Sequence, residues 1–319
     1  MVSSEPNWHN LTSEDVAQNL SIPLSALPAT VDLKQYIDEL QWRRPNQSER
    51  DGDFLTARKE LERDDLVTVG ENDASRWERG WGEVLASVRQ HGFSPELLRP
   101  QYFKYDVVRY LGDYAHVSDR AFEYRLYQAY KALIFARHLP PDCETVVEFG
   151  CGTGSNLLQL SEQFSNARFV GCDWAQPSQT LIAVMAEATG RPLVGARFNM
   201  LTLEGRETIP LGPSSAVLTL HAMEQLGSNW KPLLDYWLAA RPRICIHIEP
   251  IVELYAEDNL FDHVAIRYHK KRNYLTGYLP ELHRLAASKV IELIEVRRLG
   301  LGSMFHEGYS LIVWRPTQG

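Results

Sequence analysis

From about residue 144 onward, short apolar runs rich in Val, Ile, Leu and Phe alternate with longer stretches whose apolar residues recur at helical spacing. The short runs predict strands at 145–148, 167–172, 194–198, 215–220, 243–249, 290–298 and 309–315. The longer ones predict helices at 154–165, 178–189 and 230–240, with further helical segments across 256–288. Strands that alternate with helices imply a parallel sheet covered by helices, an α/β fold.

The first 118 residues differ. Segments 11–20, 32–40 and 74–91 have helical periodicity, and Gly92 supplies a stop after the last. Residues 49–80 are dense in charge and poor in large apolar groups, so they predict an exposed connection or mobile loop. The chain therefore divides into a helical N-terminal cover (1–118) and a main domain (119–319). Aromatic residues crowd between 102 and 130. Phe122, Leu126, Tyr130 and Leu133 follow helical spacing and predict core. The less regular stretch 102–114 predicts a lid, in which Tyr102 and Tyr105 would wall a substrate and hold a cation against their ring faces.

One turn carries more chemistry than any other. The run Val146-Val147-Glu148-Phe149-Gly150-Cys151-Gly152-Thr153-Gly154 ends a strand in an acid and then alternates glycines before a helix begins. Glycines there let the backbone approach a ligand closely, and the helix start aims unpaired N–H groups at it. A dinucleotide loop would be spaced G-x-G-x-x-G; here the spacing is E-x-G-x-G-x-G. The next strand ends in Asp173-Trp174, and Asp173 lies 19 residues after Gly154, near the distance at which an open α/β sheet presents an acid to a ribose.

These motifs resemble the class I S-adenosylmethionine (SAM) methyltransferases. The resemblance covers about 60% of the chain, from residue 119 or so to the end. It implies a doubly wound, seven-stranded Rossmann-like sheet with an antiparallel last strand. It also implies SAM as cofactor, with Gly150, Gly152 and Gly154 shaping the loop and Glu148 anchoring the amino-acid tail through water. Asp173 would take the ribose hydroxyls, Trp174 would lie against the adenine, and Asn199-Met200 would close that end where many relatives carry an acid. The plainer reading makes Asp173 a helix cap, Trp174 core and Asn199 a turn cap.

Composition narrows the partners. A net charge of −8 argues against nucleic acid, and Lys270-Lys271-Arg272 reads as a solvated helix face. No apolar run approaches the ~20 residues of a membrane span, and the first residues lack signal-peptide character. The four cysteines show no zinc-ligand spacing, so no metal is expected. A small-molecule substrate in the cytoplasm is the expectation; oligomeric state is not read from the sequence.

Three strand ends each deliver a His and a Glu toward one mouth: His221 with Glu224, His247 with Glu249, and His306 with Glu307. Convergent carboxylates imply a cationic guest. The expectation is N-methylation of a guanidino or amine metabolite such as free arginine. Glu224, Glu249 and Glu307 would localise its charge, His221 or His306 would accept a proton, and Arg272 or Lys270 would meet a substrate carboxylate. This is similar in logic to arginine methyltransferases, although their two glutamates share one loop. The alternatives are O-methylation of a hydroxylated natural product with a His base, and a SAM-binding sensor or scaffold without chemistry.

Overall fold

In the computed structural model, residues 7–26, 31–69 and 74–317 are described; of residues 1–8, on which the expectation about the start of the chain rests, 1–6 lie outside them. The N-terminal part opens with β1 (His9–Asn10), α1 (Ser13–Asn19), α2 (Lys34–Ile37) and β2 (Gln41–Arg43). Two longer helices follow, α3 (Gln47–Glu62) and α4 (Ala74–His91), and then a hairpin of β3 (Val107–Tyr110) and β4 (Asp113–Val117).

The main domain begins with α5 (Phe122–His138), β5 (Thr145–Phe149), α6 (Ser155–Gln163), β6 (Arg168–Asp173), α7 (Gln176–Thr189) and β7 (Leu193–Arg197). It continues through β8 (Ser215–Leu220), α8 (Lys231–Ala240), β9 (Ile244–Glu249), α9 (Leu260–Arg272) and α10 (Tyr278–Ala287). It closes with β10 (Ile291–Arg298), β11 (Leu301–Ser303) and β12 (Ser310–Pro316).

Seven strands form the main sheet, in the order β10-β12-β9-β8-β5-β6-β7. The five strands from β9 to β7 run parallel, and β12 is antiparallel to both its neighbours. Strand order reverses at β5 and β8, the switch point beyond whose carboxyl ends such sheets bind ligands. The expected α/β fold is thus present, and Phe122, Leu126, Tyr130 and Leu133 are fully buried on α5.

Two sequence expectations change. Residues 70–73 lie outside the described residues, and on either side of them 49–69 and 74–80 are not an open connection. Asn46 and Glu49 form a reciprocal capping box that starts α3, and the charges pair within the segment, as Arg58 does with Glu62. The few apolar groups suffice to seat it, because Phe54, Ala57, Leu66 and Val69 are buried against Tyr114, Phe261 and Tyr268. Nor is 102–114 a lid throughout: Tyr110 and Tyr114 are core, on a hairpin that joins a second sheet ordered β1-β2-β4-β3-β11. A C-terminal strand completes that N-terminal sheet, so the cover is stitched to the main domain. The helical run 256–288 is two helices, with Asn273 and Gly277 in left-handed conformations between them.

Candidate functional site

Above the carboxyl ends of β5, β6, β7 and β8 lies a cavity of about 380 Å³. The turn after β5 shapes its floor. Gly150 and Gly152 have φ of 72° and 55°, where L side chains are strained. A Cβ at Gly150 would stand 2.4 Å from the Cβ of Ala222, and one at Gly152 would stand 2.9 Å from the ring of Trp81. Asp173 ties the turn to the next strand: one carboxylate oxygen accepts from the Gly152 N–H and the other from the Ala175 N–H, both at 2.9 Å. Burial raises the Asp173 carboxyl to about 6, against the pull of those N–H groups. Asp173 and Trp174 line the cavity.

Gly154 lies behind the wall, packed on Met185 and Ile182. Glu148 is also fully buried and accepts from the Asn156 amide at 2.6 Å. The side-chain oxygen of Asn156 accepts from the Lys131 ammonium, which sits 4.7 Å from the Tyr127 ring centre. Burial pushes Lys131 down and Glu148 up. After β7, the Asn199 side-chain oxygen already accepts from the Leu201 and Thr202 N–H groups. Asn199 therefore caps a turn and has its amide N–H₂ left to offer; Met200 lines the cavity.

The strand ends do not deliver three glutamates to one point. Of these, only Glu224 lines the cavity. Glu249 is turned into the chain and accepts from the Ala222 and Met223 N–H groups at 3.0 and 3.1 Å. It thereby moulds the turn after β8, and burial raises it to about 7. Glu307 is clamped with Asp262 by Arg298, at 2.7 Å from each. His247 is a core residue bonded to Thr219, Tyr278 and Trp314, and burial drops it to about 3.

A carboxylate that the sequence reading overlooked takes their place. Glu123, Tyr127 and Lys131 follow one another at four-residue intervals along α5 and all line the cavity. Burial raises Glu123 to about 7, although the Tyr309 hydroxyl donates to it at 3.1 Å.

His221 sits between these acids. Its backbone is left-handed, φ 57°, and its N–H donates to the Ile248 carbonyl at 3.0 Å. Its Nδ1 is 3.5 Å from Glu224 Oε2. His221 Nε2 and Glu224 Oε2 are both buried, and among the described residues neither has a hydrogen-bond partner. Burial lowers the His221 pKa, while Glu224, Glu249 and Glu123 raise it and prevail. Tyr309 and Tyr127 hold the ring at centroid distances of 4.6 and 6.2 Å.

The remaining wall carries Tyr102, Tyr105, Tyr268, Arg272, Tyr274 and His306. Lys270 does not line it. From the cover, Trp77 and Trp81 stack at 5.3 Å over the glycine turn, and Glu78 accepts from the Gln176 N–H that opens α7. No group of His, Cys, Asp or Glu among the described residues is arranged to hold a metal. No helix among them is long and apolar enough to cross a membrane.

No protein-family model and no curated protein matches the chain. Among solved structures it is similar to the [4+2]-cyclase SpnF, at 12% identity over 80% of this chain and 98% of that one, TM-score 0.49. It is similar also to NcsB1, an O-methyltransferase from neocarzinostatin biosynthesis in complex with SAM and 2-hydroxy-5-methyl naphthoic acid (16% identity, 76% and 70% covered, TM-score 0.44). A third is RosA, N,N-8-amino-8-demethyl-D-riboflavin dimethyltransferase from Streptomyces davawensis (11%, 78% and 71%, TM-score 0.41).

Proposed function

We propose that the chain is a SAM-dependent methyltransferase that methylates a nitrogen of a small cationic guanidino or amine metabolite. One observation carries this reading. A single cavity joins the glycine turn and Asp173 to the carboxylates Glu224 and Glu123, with Tyr102, Tyr127 and Tyr309 around them.

The residues present fit SAM. Asp173 keeps lone pairs for a ribose despite its two backbone bonds. Asn199 would offer its amide, and Trp174 and Met200 their side chains, to the adenine, while Asn156, set by Glu148, would hold the amino-acid tail. When bound, SAM supplies a methyl group on a positively charged sulfur.

The chain's own residues then prepare the nucleophile. A guanidinium has a pKa above ~12 and does not shed its proton unaided. In this reading Glu123 and Glu224 accept from N–H groups that are not attacked, which draws charge away from the one that is. His221 Nε2 accepts the proton released, and Glu224 stabilises the imidazolium that forms. The tyrosine faces favour a cation, and positioning within a closed site supplies much of the rate.

A second reading has its own support. A histidine with a free Nε2 and a carboxylate behind it is also the arrangement that deprotonates a hydroxyl. Incubation with SAM carrying a ¹³C methyl group and a panel of guanidino acids, polyamines, catechols and phenolic acids separates the two. Label on guanidine or amine nitrogen is expected, with His221→Gln and Glu224→Gln both inactive. Label on oxygen, retained in Glu224→Gln, overturns the cationic reading.

A further inference from the structure

We propose that Arg272 and the hydrogen-bonded pair His269–His306 form a carboxylate-binding subsite of the cavity, so that the substrate is a guanidino or amino acid rather than a simple amine. This rests on the N-methylation reading and narrows it.

Arg272 ends α9, and its guanidinium lies over the rings of Tyr274 and Tyr268, 5.0 and 5.9 Å from their centres. Its Nε is buried without a hydrogen-bond partner, and no ion pair or side-chain hydrogen bond to the described residues ties it down. The cavity's other acid on this side, Glu60, gives both oxygens to Arg63. An arginine facing a cavity, stacked on aromatic rings and without a carboxylate of its own, is built to receive one.

His306 supplies a second donor. It stacks on Tyr268 with ring centres 5.0 Å apart, and its Nδ1 lies 3.0 Å from His269 Nε2. The proton between them has a preferred owner. If His306 donated it, His269 would keep its remaining N–H at Nδ1, a buried atom with no partner. A buried orphan donor is rarer than an under-satisfied acceptor. His269 therefore donates, and His306, neutral in this buried setting, carries its own proton on Nε2. His306 lines the cavity, so it offers an N–H there. His269 is a positioning residue that sets this tautomer.

The cavity thus carries both acceptors (Glu224, Glu123, His221 Nε2) and donors (Arg272, His306 Nε2–H, the tyrosine hydroxyls). A zwitterion satisfies both.

The test uses matched pairs that share a guanidine and differ in the carboxylate: arginine with agmatine, and 3-guanidinopropionate with ethylguanidine. Methyl transfer is followed as kcat and KM with the full-length protein. The wild type is expected to favour the acid of at least one pair by about 10- to 100-fold in kcat/KM, the scale of a hydrogen bond to a charged group. Arg272→Gln is expected to lower turnover of that acid about 10-fold more than turnover of its partner, chiefly through KM. His269→Phe is expected to shift the same ratio in the same direction. A loss of fold would lower both members together and leave the ratio alone, so an unmoved ratio in both variants overturns the subsite. Equal methylation of acid and amine by the wild type overturns the subsite while N-methylation stands. No methylation of nitrogen in any compound overturns both.

Discussion

Gly308 is the seat of His221, and replacing it with alanine tests whether that histidine is held where its chemistry requires. A Cβ on Gly308 would lie 2.6 Å from His221 Cε1 and 2.9 Å from Nε2. Ordinary contact begins at 3.4 Å, so the ring must move by about 0.8 Å. It has little room, since Tyr309 and Tyr127 hold its other sides. Gly308 itself is outside the left-handed region, so alanine fits its backbone and the fold is spared. A displacement of ~1 Å in a positioning contact costs ~100-fold in rate, or ~2.7 kcal/mol in the barrier. Gly308→Ala should therefore lose about 100-fold in kcat, with SAM affinity and melting temperature close to wild type. The assay is single-turnover methyl transfer beside calorimetric SAM binding, run also on a His221→Gln background. There the glycine substitution should add little, because both changes remove the same group. Full turnover by Gly308→Ala, or an equal further loss on the His221→Gln background, refutes the reasoning.

Three other outcomes follow from the same geometry. Asp173 titrates near 6 in the folded protein and near ~4 unfolded, so its contribution favours folding fully below ~4 and is lost as pH rises through about 6. A ribose donating to the carboxylate reverses the preference. Calorimetry of SAM binding at pH ~5.5 in buffers of different ionisation heat should thus show proton release, absent in Asp173→Asn. Arg298→Ala leaves Asp262 and Glu307, 4% and 2% exposed, without their counter-charge. Urea unfolding should show a loss of ~3–5 kcal/mol, and a loss below ~1 kcal/mol would place these carboxylates elsewhere. Glu249→Ala strands the N–H groups of Ala222 and Met223 at ~1–3 kcal/mol each, so its melting temperature should fall. A raised KM at unchanged melting temperature would instead make Glu249 a substrate ligand.

The parts of the site that depend on local backbone were legible in the chain. Gly150 and Gly152 need positive φ, and an acid closing the next parallel strand lands beside them by sheet geometry alone. What depended on distant partners was not. Glu249 and Glu307 do end up near strand termini, but Arg298 and the N–H groups after β8 claim them, and spacing cannot reveal that competition. Trp77 and Trp81 come from a helix some seventy residues before the glycine turn. The second sheet escaped notice because β1 and β2 have two and three residues, too few for periodicity, and β11 pairs with β3 across most of the chain. Glu123 and Lys131 did leave a signal: with Tyr127 they put polar atoms at i, i+4 and i+8 of a helix whose buried residues are mostly apolar, a line of polar groups on a buried face.

The most direct test of the central claim is titration of SAM into the protein by calorimetry, alongside NADH and with Asp173→Ala as control. One SAM site per chain is expected, at least about 10-fold weaker in Asp173→Ala, the loss of a hydrogen bond to a charged group, with no NADH binding. Absence of SAM binding, or SAM binding that Asp173→Ala leaves untouched, contradicts the claim.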